Sequence, residues 1–204
     1  MFSIRSNCWV SALVAVACAF AATDRARANT AIIVSVPDQR LVILESGRKM
    51  ADFPVSTSKF GVGDRPRSYA TPLGLLEVAS KVGAGAPHGA VFKRRRFTGE
   101  VLRPNARGRD PIVTRILHLR GLQVGNARAF DRGIYIHGTP EEGKIGRPAS
   151  YGCVRMCSRD VVRVFDAAPV GTRINIVNTT VNRALGRSPA RAISYGHHRF
   201  ASNW

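Results

Sequence analysis

The chain has 204 residues, with 31 Lys+Arg against 13 Asp+Glu, a formal charge of +18 and 45% hydrophobic residues. That hydrophobic share excludes wholesale disorder, and 19 Gly and 11 Pro spread without a period exclude collagen-like and solenoid folds. The cationic surplus points to a polyanionic partner: nucleic acid, an anionic membrane or a wall polymer.

Residues 1–28 read as an export signal. Arg5 supplies a positive start, and Cys8 to Ala22 form an apolar run broken only by Ser11. The run is shorter than the roughly 20 residues that span a bilayer. Ala26-Arg27-Ala28 then offers a small-x-small cleavage pattern. Cleavage there removes Arg5, Asp24, Arg25 and Arg27, so the mature charge falls from +18 to +16. Export to the periplasm argues against nucleic acid as the partner, and so does the lack of interleaved aromatic and basic residues for base stacking. Cys153 and Cys157 remain after cleavage, too few for a disulfide scaffold.

The mature chain predicts strands at Ala31–Val36, Arg40–Glu45, Lys49–Val55, Leu73–Val78, Ile112–Leu119, Gly133–His137 and Arg173–Val177. Each is rich in Ile, Val or Leu or alternates apolar with other residues, and Gly, Pro and Asp bound nearly all of them. Short strands at this spacing predict a mainly β fold, a sandwich or barrel. One helix is predicted after Ser158, which is placed as its cap. Asp160 lies in its first turn, Pro169 stops it, and Val161, Val164, Phe165 and Ala168 form one buried face. Residues 90–109 carry seven cations against Glu100 and read as a long exposed loop. The expected organisation is a signal at 1–28, one domain at 29–178 and a basic, flexible tail at 179–204.

The chemistry concentrates between His137 and Cys153. His137 ends a predicted strand, and Gly138 is read as a turn residue. Ser150-Tyr151-Gly152-Cys153 follows, where a glycine before the cysteine lets substrate approach closely. The N–H groups of Gly152 and Cys153 are expected to receive an oxyanion. A cysteine paired with a histidine makes an acyl-transfer nucleophile.

His137-Gly138-Thr139 followed by Ser150-x-Gly152-Cys153-Val154-Arg155-Met156 resembles the signature of YkuD-type L,D-transpeptidases. The resemblance extends from Ser56-Thr57-Ser58 and Thr71-Pro72-Leu73-Gly74, similar to the mouth of that domain's substrate groove, to Val170-Gly171-Thr172. It implies an exported peptidoglycan enzyme on an L,D-transpeptidase-like β-sandwich. Cys153 would attack the carbonyl at the L-centre of the third stem residue, typically diaminopimelate, and release D-Ala. His137 would be the general base. The acceptor would be a diaminopimelate amine, giving a 3–3 cross-link, a lysine of an outer-membrane lipoprotein or a free D-amino acid. Arg155 would hold the loop or a substrate carboxylate, and Ser150 would fix the cysteine turn. No cofactor or metal is implied. Tyr151 stands where many members carry histidine, which leaves the proton work to His137 and puts acceptor choice in question.

The same residues admit other readings. A hydrolase on this scaffold shares every site residue, and a wall-binding protein held by charge alone is the non-enzymatic alternative. A Cys153–Cys157 disulfide would silence the nucleophile. A zinc site of Cys153, Cys157, His137 and His118 fails to form two compact ligand pairs. The charge itself suggests retention at an anionic envelope surface.

Overall fold

The apolar runs predicted as strands after residue 29 form strands, and the computed structural model describes residues 30–186. The expected signal at 1–28 and the tail beyond residue 186 lie outside the described residues. β1 (Thr30–Ser35) runs antiparallel to β2 (Arg40–Glu45), which continues antiparallel into β3 (Arg48–Pro54). On its other side β1 pairs parallel with β10 (Arg173–Val177), so the last strand is inserted beside the first. The sheet continues through β4 (Gly74–Val82), β7 (Ile112–Gly121), β5 (Ala90–Lys93) and β6 (Arg96–Val101). β8 (Tyr135–Gly138) also joins β7, and β9 (Val154–Met156) pairs with β8 in parallel.

The sheet therefore forks at β7, which accepts β4, β5 and β8. The β7–β8 register shifts between Val113 and Ile116, and Thr114 sits there at φ 70°. A β-branched residue at positive φ is rare and strained. Its hydroxyl is held on both sides, accepting from the Gly89 N–H (2.9 Å) and donating to Ser158 Oγ (2.8 Å).

The main core lies between the curled sheet and the helix α1 (Ser158–Ala167). Ile32, Leu41, Leu76, Leu117, Ile136, Met156 and Ile174 are buried in it with Val161, Val164, Phe165 and Ala168. Full burial of one such large side chain contributes about 1.5–3 kcal/mol. α1 packs on β7 and β8. It follows β9 directly, so its apolar face anchors the strand that leads from the cysteine.

Four expectations change. The helix cap is Cys157 instead of Ser158, and its side chain makes no capping bond. Glu142 supplies the acceptor, taking the Ser158 N–H at 2.8 Å. Residues 90–101 form the β5–β6 hairpin, with Ala90, Val91 and Phe92 buried and the cations beyond them exposed. β9 was absent from the predicted strands, being only three residues long. Finally, the chain stays packed past residue 178. A short helix α2 (Val181–Gly186) buries Val181 against Ile33, Val42 and Leu44, and the Val181 N–H donates to Asp38 Oδ2 (2.7 Å).

Candidate active site

The parallel β8–β9 ladder sets the site. It pairs Ile136 with Val154, His137 with Arg155 and Gly138 with Met156. One step back along the register lies Cys153 beside Tyr135. The Tyr135 N–H donates to Cys153 Sγ at 3.4 Å, and the thiol faces the Gly133 carbonyl at 3.4 Å. Side chains alternate along a strand, so Cys153 and His137 occupy one face of the pair. Strand spacing and rise put their Cα atoms about 8 Å apart.

His137 is buried, and its Nδ1 lies 2.8 Å from the Gly138 carbonyl. A carbonyl only accepts, so Nδ1 carries the proton and Nε2 is left as the basic nitrogen. Burial pushes the imidazole down to about 4, against the opposing pull of the Gly138 bond and Asp110. Burial pushes the Cys153 thiol up to about 11, although the Tyr135 N–H and the charges of Arg132 and Arg155 favour the thiolate. At neutral pH the pair is therefore a neutral thiol beside a neutral base.

The loop before Cys153 is held from within and from the β3–β4 connection. Ser150 Oγ donates to the Cys153 carbonyl (2.6 Å) and accepts the Gly152 N–H (3.2 Å). The Gly152 N–H is therefore engaged, and the oxyanion pair expected of Gly152 and Cys153 is not ready-made. Gly152 sits at φ 119°, and a Cβ there would lie 3.2 Å from the Ala70 carbonyl. Thr71 Oγ1 accepts the Ser58 N–H and donates to the Gly152 carbonyl, both at 3.0 Å. Ser56 exchanges backbone bonds with Arg155, and Ser58 bridges Ser150. Ser56, Thr57, Ser58 and Thr71 are buried, so they brace the cysteine loop instead of lining an open groove.

Three further residues take scaffolding roles. Arg155, 3% exposed, pairs with Asp110 and with Glu141 (3.1 Å). These carboxylates of the chain itself take the guanidinium, which matches the loop-holding one of the two roles expected of Arg155. Thr139 is buried and donates to Asp110 Oδ1 at 2.5 Å. Gly138 is a strand residue instead of a turn: a Cβ there would lie 2.6 Å from the Val113 carbonyl. Its own carbonyl orients His137.

Tyr151 is 59% exposed at the rim. It packs with Phe60 and Tyr69 at ring separations of 5.4 and 5.7 Å, and Lys59 Nζ reaches its hydroxyl at 3.0 Å.

Asp110, Glu141, Arg132 and Asp64 escaped the sequence reading. Arg132 pairs with Asp64 (2.7 Å) and donates to the Ala70 carbonyl (2.6 Å), tying the rim loop to the turn that carries Gly133. Glu141 pairs locally with Lys144 (2.5 Å), but the contacts that make these four residues braces join positions far apart or irregularly spaced in sequence. Cys153 and Cys157 are free thiols. β9 runs extended between them, which separates their Cα atoms by roughly 13 Å, beyond the reach of a disulfide. Among the described residues no group of three or more His, Cys, Asp or Glu side chains converges to hold a metal ion. His118 is instead stacked on Phe130 at 4.0 Å.

A family model described as the L,D-transpeptidase catalytic domain, YkuD, matches residues 29–176. The chain is 44% identical over 54 residues to a putative L,D-transpeptidase, YqjB, of Bacillus subtilis, covering 26% of this chain and 31% of that protein. It is 35% identical over 79 residues to the putative L,D-transpeptidase YkuD of Bacillus licheniformis, covering 38% of this chain and 48% of that one. These alignments thus span a third to a half of the curated relatives. An L,D-transpeptidase crystal structure from Mycobacterium tuberculosis superposes at a TM-score of 0.48 with 17% identity, over 73% of this chain and 57% of that chain.

Proposed function

The chain belongs to the YkuD family of L,D-transpeptidase catalytic domains, and on that premise we propose that it transfers a peptidoglycan stem-peptide acyl group through Cys153. The observation that carries this reading is the His137 tautomer. Nδ1–H is committed to the Gly138 carbonyl, so Nε2 is free to take a proton on the face shared with Cys153.

In the proposed cycle, Cys153 Sγ attacks the carbonyl at the L-centre of the third stem residue as its proton passes to His137 Nε2. The tetrahedral adduct collapses to a thioester, and the imidazolium gives its proton to the departing D-Ala amine. An acceptor amine then attacks the thioester while Nε2 takes its proton. An amide forms, and the proton returns to the thiolate. Because both groups rest neutral, proton transfer accompanies attack instead of preceding it. The Tyr135 N–H, already directed at Sγ, favours the developing thiolate.

The substrate is a tetrapeptide stem ending in diaminopimelate–D-Ala, and the acceptor is a second diaminopimelate amine or a lipoprotein lysine. The enzyme works in the periplasm after loss of residues 1–28, with its charge turned to the anionic envelope. Incubation with tetrapeptide muropeptides and mass analysis tests the reading. Cross-linked dimers support transfer. Tripeptide monomers alone would replace it with hydrolysis, and unchanged substrate would overturn it.

A further inference from the structure

The densest charge on the described surface stands at the tip of the β5–β6 hairpin. Lys93, Arg94, Arg95 and Arg96 are consecutive and all exposed. Lys93 pairs with Arg96 across a two-residue turn, and Arg94 and Arg95 occupy it at φ 50° and 63°. Such a turn ordinarily takes Asn-Gly, which adopts positive φ with little strain. Two arginines sit there instead. Among the described residues no acidic side chain pairs with any of the four. The acid of this hairpin, Glu100, is taken by Arg109.

Apolar surface adjoins the charge. Phe97 is 48% exposed and Val101 52% exposed on β6, the strand at the open edge of the sheet. Cations flanking exposed aromatic and aliphatic side chains match a bilayer interface, where headgroup phosphates meet acyl chains. A purely polar wall polymer would have no use for Phe97 and Val101. We propose that the Lys93–Arg96 tip, with Phe97 next to it and Val101 at the other end of β6, docks the protein on an anionic phospholipid bilayer.

Docking there also orients the catalytic residues. The chain after β6 is pinned to the loop that follows His137: the Asn105 N–H donates to the Pro140 carbonyl (2.6 Å), and Asn105 Oδ1 accepts the Gly143 N–H (2.9 Å). Asp110, a few residues further on, holds Arg155 and Thr139. The hairpin and the site are thus parts of one braced unit. The inference rests on the reading of an exported envelope enzyme, but its test is independent of turnover.

The test is sedimentation of the chain from residue 29 to 204 with vesicles of 3:1 phosphatidylcholine and phosphatidylglycerol, and with neutral phosphatidylcholine vesicles. Binding is expected to the anionic vesicles and to weaken with salt. The triple variant Arg94→Asn, Arg95→Gly, Arg96→Ser removes three charges while suiting the turn, and is expected to lower partitioning roughly 100-fold. Phe97→Ser with Val101→Ser should remove the binding that persists at high salt. Cys153→Ala should bind like the wild type, and the triple variant should process soluble muropeptides at the wild-type rate, which separates this proposal from the catalytic one. Equal binding to neutral vesicles, undiminished binding by the triple variant, or hairpin-dependent retention on purified wall sacculi in place of vesicles would overturn it.

Discussion

Arg155 stands directly across the parallel β8–β9 ladder from His137, with its guanidinium on Asp110 and Glu141. The arginine therefore fixes the strand that starts directly after Cys153, and Arg155→Met leaves Asp110 without its cation and Glu141 with Lys144 alone. Breaking a fully buried pair costs about 3–5 kcal/mol. Here each carboxylate is about a quarter exposed, so a loss of about 2–3 kcal/mol in urea unfolding is expected. Combining it with Asp110→Asn should cost less than the two single losses added. Additive losses would show that the two side chains act independently.

His137 predicts a pH-dependent share of stability. Its folded pKa, about 4, lies below the ordinary imidazole value of 6.5 because it is buried. Between those values the unfolded chain binds the proton more readily. The contribution is thus fully present above pH 6.5 and lost as pH falls toward 4, by roughly 3 kcal/mol. In urea titrations the stability of the wild type relative to His137→Gln should fall between pH 7.5 and pH 4.5. A difference that stays constant would place the histidine in solvent.

The same neutral resting state governs reactivity. With Cys153 raised to about 11, its alkylation by iodoacetamide without substrate should be slow at pH 7 and rise steadily above pH 9. Fast labelling at pH 7 would indicate a preformed thiolate instead.

Ser150 bonds both ends of the cysteine turn. Ser150→Ala removes both bonds and should cost about 1–3 kcal/mol. The rate of acylation should fall further than the affinity for substrate, because the turn aims Sγ. A change confined to KM would make Ser150 a binding residue.

Gly138→Ala should be among the most damaging small substitutions. Its Cβ would meet the Val113 carbonyl at 2.6 Å and Thr114 Cβ at 3.1 Å, on the segment where β7 is already strained. A loss of about 1–3 kcal/mol is expected from overpacking. The carbonyl that orients His137 would shift with it, so activity at a temperature where the variant is folded should also fall. Full activity there would separate the packing of Gly138 from the orientation of the base.

Much of the sheet is legible because its buried strands are runs of Ile, Val and Leu. β10 matches its predicted limits of Arg173 and Val177. The hairpin β5–β6 was hidden because the charge of Lys93–Arg96 dominates the stretch, although Ala90–Phe92 are buried. β9 has three residues, too few to show alternation. The motif residues Cys153, His137 and Ser150 stand close in sequence and close in the fold. The residues that brace them do not: Asp110 reaches Arg155 over 45 positions, and Arg132 reaches Asp64 over 68. Gly152 appeared free to receive an oxyanion because only the folded loop brings Ser150 Oγ onto its N–H.

In the proposed reaction Cys153 forms a thioester with His137 as its base. Intact-mass measurement of the protein mixed with a tetrapeptide stem, without an amine acceptor, tests it most directly. An added tripeptide acyl mass is expected on Cys153, removed by hydroxylamine, absent in Cys153→Ala and strongly slowed in His137→Ala. An adduct on Cys157, or an undiminished adduct in His137→Ala, would contradict it.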